Sequence, residues 1–246
     1  MCLISFHWQP GSDTPLVVAA NRDEFYDRPS LPLSWWEDGK VLAGRDLKGN
    51  GTWMGLSNSG RFAALTNFRD PSRNLPQAPS RGRIVTGFLE DELEATDYIA
   101  SLRSGVHLYH DFNLLLYDRQ LLLGYESRHD CTLTFDPGTH AVSNARFDTP
   151  WPKVDAVKRL LEPALNNDAA LLQLLANRNI AKDEQLPCTG VSLEWERALS
   201  AAFIQMPEYG TRCSSIIRLS KTKASFLERR FEPGSEAADL CFTFTF

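Results

Sequence analysis

The chain has 246 residues, 43% of them hydrophobic and 23% charged, and a net charge of −5. That length suits one large domain with a substantial core, here residues 1–246 as a single unit, and the negative balance argues against a nucleic-acid footprint. No apolar stretch approaches the ~20 residues of a membrane-spanning helix, and the five cysteines and five histidines form no disulfide framework or metal-ligand spacing. In chain order, the first predicted element is the strand Cys2 to His7. The turn chemistry of Gln9-Pro10-Gly11-Ser12-Asp13 folds it back onto Leu16 to Ala20. Residue numbers across the pair then sum to about 23, which sets Cys2 opposite the Asn21/Arg22 end of the return strand. Pro29 to Asp38 reads as a linker-like loop carrying Trp35-Trp36, tryptophans that cover core.

Gly51 to Leu56 and Arg61 to Asn67 form a hairpin around Ser57-Asn58-Ser59-Gly60. The three prolines of the segment Asp70 to Pro79 disfavour helix and strand, and a loop of that length is a candidate lid or ligand-contacting segment. Ser80 caps a helix to about Glu90, and Asp97 begins a short one to Arg103. Phe112 to Tyr117 pairs with Leu121 to Ser127, and Cys131 to Phe135 with Ala141 to Asn144 around Asp136-Pro137-Gly138-Thr139. Thr149-Pro150 supplies a cap and an N1 proline for a helix with Val154, Val157, Leu160 and Leu161 on one face. Asp168 and Ser192 start two more, Ala169 to Asn177 and Leu193 to Phe203. Ser214 to Leu219, Ala224 to Phe231 and Leu240 to Phe246 close the chain as strands. At least nine strands, almost all antiparallel, with one-sided helices between them make an α+β domain of two stacked sheets, with reactive residues at strand ends.

Chemistry concentrates where apolar runs stop. Cys2 is a strand residue that packs like a small hydrophobe, yet removal of Met1 would give it a free amine of pKa ~8 beside its thiol, a self-contained nucleophile and base. Arg22 on the facing strand favours a thiolate. Asn67 and Asn144 each close an apolar run and are turn residues or neutral oxyanion donors. Arg69 and Arg212 are further strand-end cations, Arg212 lying just before a strand. Arg81 and Arg83 oppose a helix dipole, which favours an anion nearby. The scattered, odd cysteine count and the absence of a signal-peptide layout point to a reducing, cytoplasmic compartment.

Met1-Cys2 with its apolar strand, Ala19-Ala20-Asn21-Arg22-Asp23-Glu24-Phe25-Tyr26, Gly51-Thr52-Trp53-Met54-Gly55, Ala63-Ala64-Leu65-Thr66-Asn67, Arg81-Gly82, Phe112-Asn113-Leu114, Ser143-Asn144-Ala145 with Thr149-Pro150-Trp151, and Tyr209-Gly210-Thr211-Arg212 together resemble the transport and Golgi organisation protein 2 family, also named for its Asn-Arg-Asp-Glu segment. That family is similar in turn to the N-terminal nucleophile hydrolases, which implies a four-layer αββα sandwich of two mainly antiparallel sheets. Similarity to the bile-salt and penicillin acylase branch would make Cys2 the nucleophile, with Arg22 and Asp23 beside it, Asn67 and Asn144 as oxyanion and amine contacts, and Arg212 stabilising the thiolate. The chain departs from that branch in placing Arg22 and Asp23 next to each other, so their side chains point apart in a strand. The resemblance also implies a non-enzymatic role, intracellular binding and trafficking of haem or a similar amphipathic anion such as acyl-coenzyme A. Asn21, Arg22, Asn67, Arg69 and Arg212 would then meet the polar groups, and Trp53, Phe68 and Tyr209 the apolar body. No cofactor is required on either reading, haem entering as a transported ligand.

Overall fold

The computed structural model describes residues 2–73, 75–232 and 234–246. Met1, whose removal decides whether Cys2 has a free amine, lies outside them, as do Asn74 and Pro233. Thirteen strands among the described residues form two antiparallel sheets. The first sheet contains β1 (Cys2–Trp8), β2 (Leu16–Phe25), β10 (Gly138–Val142), β11 (Tyr209–Leu219), β12 (Lys223–Arg230) and β13 (Ala238–Thr245), in the order β10-β1-β2-β11-β12-β13. The second runs in sequence order through β3 (Ser30–Trp35), β4 (Val41–Asp46), β5 (Met54–Ser57), β6 (Phe62–Asn67), β7 (Phe112–Tyr117), β8 (Leu122–Glu126) and β9 (Cys131–Thr134).

Strand alternation sorts the apolar side chains into layers. Ile4, Phe6, Val18 and Ala20 of the first sheet meet Leu42, Leu56, Phe62 and Ala64 of the second in a central core. Leu3, Val17 and Ala19 face the other way, against α3 (Pro152–Ala164) and α4 (Asp168–Leu175). On the opposite outer face α1 (Gly82–Glu90) and α2 (Ala95–Arg103) cover Val41, Ala63, Leu114 and Leu116. The short helix α5 (Leu193–Leu199) carries Leu199, which packs with Ile204 and Tyr209. The result is the αββα sandwich expected. Trp35 and Trp36 cover core on both sides, Trp35 packing against the central layer and Trp36 against the layer under α1 and α2.

Several local expectations change. The residues from 30 to 35 are not a loop but the edge strand β3, irregular between Leu31 and Ser34, where Pro32 is tolerated because an edge strand leaves one side unpaired. β9 and β10 are not a hairpin: β9 pairs with β8 and β10 with β1, so the Asp136-Pro137 segment carries the chain from one sheet to the other. Helix α3 starts at Pro152 with Trp151 as its cap, two residues later than Thr149-Pro150 suggested, and α1 has Arg81 rather than Ser80 at its cap position, with no side-chain cap bond. Ser192 caps α5 as expected, accepting from the Trp195 N–H, but that helix ends at Leu199; Asn167 rather than Asp168 caps α4. Strand β11 reaches back to Tyr209, so Arg212 lies within a strand.

The chain end joins the two sheets. Phe242, Phe244 and Phe246 pack against the central core, and the Phe246 ring lies against Gly60 in the β5–β6 turn, where an added Cβ would come within 2.4 Å of it at φ +82°. Gly60→Ala therefore combines an unfavourable backbone with overpacking and is expected to cost about 1–3 kcal/mol, read as a lower urea midpoint at unchanged slope.

Candidate functional site

The β1–β2 register pairs Cys2 with Arg22, a sum of 24. Cross-strand partners share a face, and Leu3 and Asn21 take the other, so the thiol and guanidinium project together between the sheets. Because β2 remains a strand through Phe25, Asp23 turns with Asn21 toward the helix side. The arginine and aspartate thus point apart, as their adjacency in sequence requires.

Cys2, Arg22, Trp53, Asn67 and Arg212 all line one cleft of about 410 Å³ at this end of the sandwich, and Asp23 borders it. Cys2 is 7% exposed. Burial pushes its thiol above the ordinary range and the Asp23 carboxylate acts in the same direction, while Arg22 and the Asp23 backbone N–H partly oppose them. The Ser143 hydroxyl donates to the Cys2 carbonyl at 3.2 Å and fixes the strand end.

Two polar ties cross between the sheets at the cleft. Arg22 Nη2 lies 3.5 Å from Asp46 Oδ2 at the end of β4, and Arg28 Nε donates to the same oxygen at 2.6 Å. Burial raises the Asp46 carboxyl, but the Arg28 hydrogen bond and the Gly49 N–H outweigh it, leaving Asp46 below its usual range. On the other side Glu228 of β12 accepts from the Leu33 N–H of β3 at 2.9 Å. Burial pushes Glu228 upward.

Arg212 occupies a register shift between Thr211 and Cys213, a bulge that turns its side chain along the cleft wall. Its Nη1 donates to the carbonyls of Phe25, Tyr26 and Arg28 at 3.0, 3.1 and 3.2 Å, closing the chain that leaves β2. Asn67, the last residue of β6, lines the cleft, and its carbonyl accepts from Asn144 Nδ2 at 2.8 Å. Asn144 itself is buried behind that wall; its Oδ1 accepts from Arg69 Nη2 at 3.4 Å.

Four of the proposed ligand contacts lie outside the cleft lining. Asn21 is fully buried, donating to the carbonyls of Leu175 and Ala202 and accepting from the Ser214 hydroxyl, which ties β2 to the helical layer. Arg69 pairs with Glu196 at 2.9 Å and stacks over Trp151. Phe68 packs against His129 and under Arg128. Tyr209 is buried against Phe25 and Trp195.

Sequence reasoning missed most of the cleft's cations. Arg28, Arg45, Lys48 and Arg230 line it, as do His110, Cys213 and the distal end of the proline-rich loop at Ala78 and Pro79. Arg45-Asp46 ends the run Val41-Leu42-Ala43, the same abrupt break that marked Asn21 to Glu24, so a signal was present. Arg81, flagged for its clash with the helix dipole, does line the cleft. Burial lowers it to about 10, against the pull of Cys2. It is delivered there by a glycine contact: a Cβ on Gly51 would sit 2.5 Å from the Gly82 carbonyl carbon, so only two bare backbones allow this approach.

Residues 1–233 match the family described as Transport and Golgi organisation 2. The chain belongs to this family. It is 36% identical over 245 residues to a Transport and Golgi organization protein 2 homolog of Bos taurus, covering 88% of each chain, and 33% identical to the Homo sapiens homolog at the same coverage. The Drosophila melanogaster protein is 28% identical, with 93% of this chain and 91% of that one covered. Among solved structures, the Caenorhabditis elegans N-acylethanolamine-hydrolyzing acid amidase ortholog superposes with a TM-score of 0.52 at 10% identity, covering 88% of this chain and 92% of that one. A mutant conjugated bile acid hydrolase from Clostridium perfringens gives 0.53 at 9% identity, with 100% and 96% covered. The fold is thus shared with these two hydrolases. Most of the family segments meet in space: Cys2 of β1, Arg22 to Glu24 of β2, Thr52 and Trp53 just before β5, Leu65 and Asn67 of β6, Gly82 of α1 and Arg212 of β11 line the cleft, whereas Phe112-Asn113-Leu114 and Ser143-Asn144-Ala145 do not. No helix among the described residues is long and apolar enough to cross a membrane.

The Arg69–Glu196 pair behind the cleft is buried, 4% and 5% of each side chain remaining exposed. Arg69→Met is expected to cost about 3–5 kcal/mol by leaving Glu196 uncompensated, and adding Glu196→Gln should recover part of that loss. Thermal melts of the single and double variants check this; equal midpoints for wild type and Arg69→Met contradict it.

Proposed function

We propose that the cleft binds an amphipathic anionic ligand, haem or a related molecule such as an acyl-coenzyme A, as an intracellular carrier. The charge of the walls carries this reading. Arg22, Arg28, Arg45, Lys48, Arg81, Arg212 and Arg230 stand against the carboxylates Asp23, Glu24, Asp46 and Glu228, an excess of positive charge in a chain whose net charge is −5. Trp53, Leu65 and the exposed Leu31 add apolar surface for the body of the ligand. A mostly buried thiol, pushed upward by that burial, fits a wall better than an activated nucleophile.

Haemin titration tests it. A saturable Soret shift is expected, competed by acyl-coenzyme A, and Arg22→Ala should weaken binding roughly ten- to hundredfold, the range for losing a hydrogen bond to a charged group. Spectra that stay unchanged on adding protein overturn the haem assignment, and failure of acyl-coenzyme A to bind as well overturns the carrier reading.

A second reading, hydrolysis of an amide or acyl bond through a Cys2 acyl-enzyme, is favoured by the position of the sulfur in the cleft wall opposite Arg22 and by the folds it is similar to. It requires Met1 to be absent from the mature chain so that the Cys2 amine can act as base. Intact mass gives the state of the terminus, and incubation with acyl amides should leave an acyl adduct on Cys2 and lose all turnover in Cys2→Ala. A retained methionine rules out that mechanism, whereas a carrier keeps most of its affinity in the same variant.

A further inference from the structure

Two large apolar side chains stand in water beside the cleft, Leu31 at 46% and Leu47 at 44% exposure. The strand register puts them together. Leu31 lies directly across from Arg45, and the Leu47 N–H donates to the Pro29 carbonyl at 3.1 Å, which extends the β3–β4 pairing past Asp46. Leu47 therefore follows Arg45 on the same face, diagonal to Leu31 at a backbone separation of about 7–8 Å, within reach of long side chains. The irregularity between Leu31 and Ser34 produces this arrangement, because it sends Leu33 into the central core while Leu31 faces outward with Arg45. The Arg45 guanidinium lies 4.9 Å from the centre of the Trp36 ring, makes no ion pair among the described residues, and has a buried Nε without a hydrogen-bond partner. Lys48, next to Leu47, is exposed and likewise in no ion pair. Asp46 between them points the other way, to Arg22 and Arg28. The exposed acids Glu37 and Asp38 stand beyond Trp36, in the turn that leads to β4. Leu31, Arg45 and Lys48 also line the cleft, so this patch adjoins its mouth.

We propose that this patch is a docking surface for an anionic lipid bilayer and seats the mouth of the cleft on the membrane. The leucines and the adjoining tryptophan enter the acyl boundary while Arg45 and Lys48 meet the phosphates and carboxylates of the headgroups, the combination that holds a peripheral protein at an interface. Charge selects the partner. The chain as a whole carries −5 and is repelled by an anionic surface, so attraction has to come from a local group of cations that no carboxylate of the chain pairs. A second copy of this chain is a poorer occupant: joined through the open edge of β3, it would need backbone donors in register, and Pro32 and the irregularity interrupt them. The inference rests on the carrier reading for its purpose, passage of an amphipathic ligand between bilayer and cleft without crossing water, but docking itself involves no ligand.

The test uses the full chain without ligand, mixed with phosphatidylcholine vesicles that contain or lack phosphatidylserine, with bound protein measured by sedimentation. Binding is expected only with phosphatidylserine and should fall as salt rises. Lys48→Gln should weaken it roughly fivefold, the effect of one cation at a membrane surface, and Leu47→Ser should weaken it by roughly the same factor through lost apolar contact. Both side chains are exposed, so neither change threatens folding. Leu160→Ser removes an equally exposed leucine on α3 and should bind as wild type does. Absence of sedimentation with phosphatidylserine, equal binding to phosphatidylcholine alone, or a Leu47→Ser variant that binds as wild type overturns the proposal. So does a dimer in solution that Leu47→Ser dissociates, which assigns the face to a second copy. Leu47 lines no part of the cleft, so its variant should take up haemin in solution as wild type does. Failure of both haemin and acyl-coenzyme A to bind overturns the carrier reading and leaves the vesicle result standing.

Discussion

The pairing of β1 with β2 in the middle of the first sheet is the constraint on which everything else depends. Side chains alternate with a period of two, so a slip of β2 by one residue would send Arg22 to the helix side, away from Cys2, and turn Asn21 and Asp23 toward the second sheet. Burial on both faces prevents that slip. Ile4, Phe6, Val18 and Ala20 must meet the second sheet while Leu3, Val17 and Ala19 must meet α3 and α4. The hydrophobic layers thus hold a polar site in register at the strand ends, where the apolar runs stop.

The site is best understood as two polar compartments separated by the first sheet. In front is the cleft, rich in guanidinium groups, with Asp46 and Glu228 tying the two sheets together across its walls. Behind is a drier set of buried polar groups, Asp23, Lys153, Arg69, Glu196 and Asn144, in which Arg69 joins Glu196 to Asn144. Arginine suits the front because it stays charged and presents several donors. The lysine suits the rear because an ammonium on a flexible stem adjusts its protonation when desolvated. Cys2 belongs to both, its sulfur facing the cleft and its carbonyl held by Ser143.

Several side chains that look like ligand contacts in the sequence instead build the walls. Arg212 spends one nitrogen on three carbonyls of the chain leaving β2, and Asn144 holds the carbonyl of Asn67 in place. A strand-end polar residue is equally well suited to binding a ligand and to satisfying a backbone that has just left its sheet. Local sequence does not distinguish these uses, because both call for the same donors and acceptors.

Local sequence determined the Cys2 hairpin, its facing arginine, the hairpins of β5–β6, β7–β8 and β11–β12, and the divergence of Arg22 from Asp23, since each follows from turn chemistry or from a period of two. It also marked Arg81 through a cation at the wrong end of a helix. The assignment of β9 and β10 to different sheets, the edge strand at Ser30–Trp35 and the bulge at Arg212 were decided by tertiary packing. So were the gathering of Arg28, Arg45, Lys48 and Arg230 at one mouth and the burial of Lys153. The physical reason is that propensity and alternation act over a few neighbours, whereas the β1 partner of β10 and the Glu196 partner of Arg69 come from more than a hundred residues away and are selected only when the layers close.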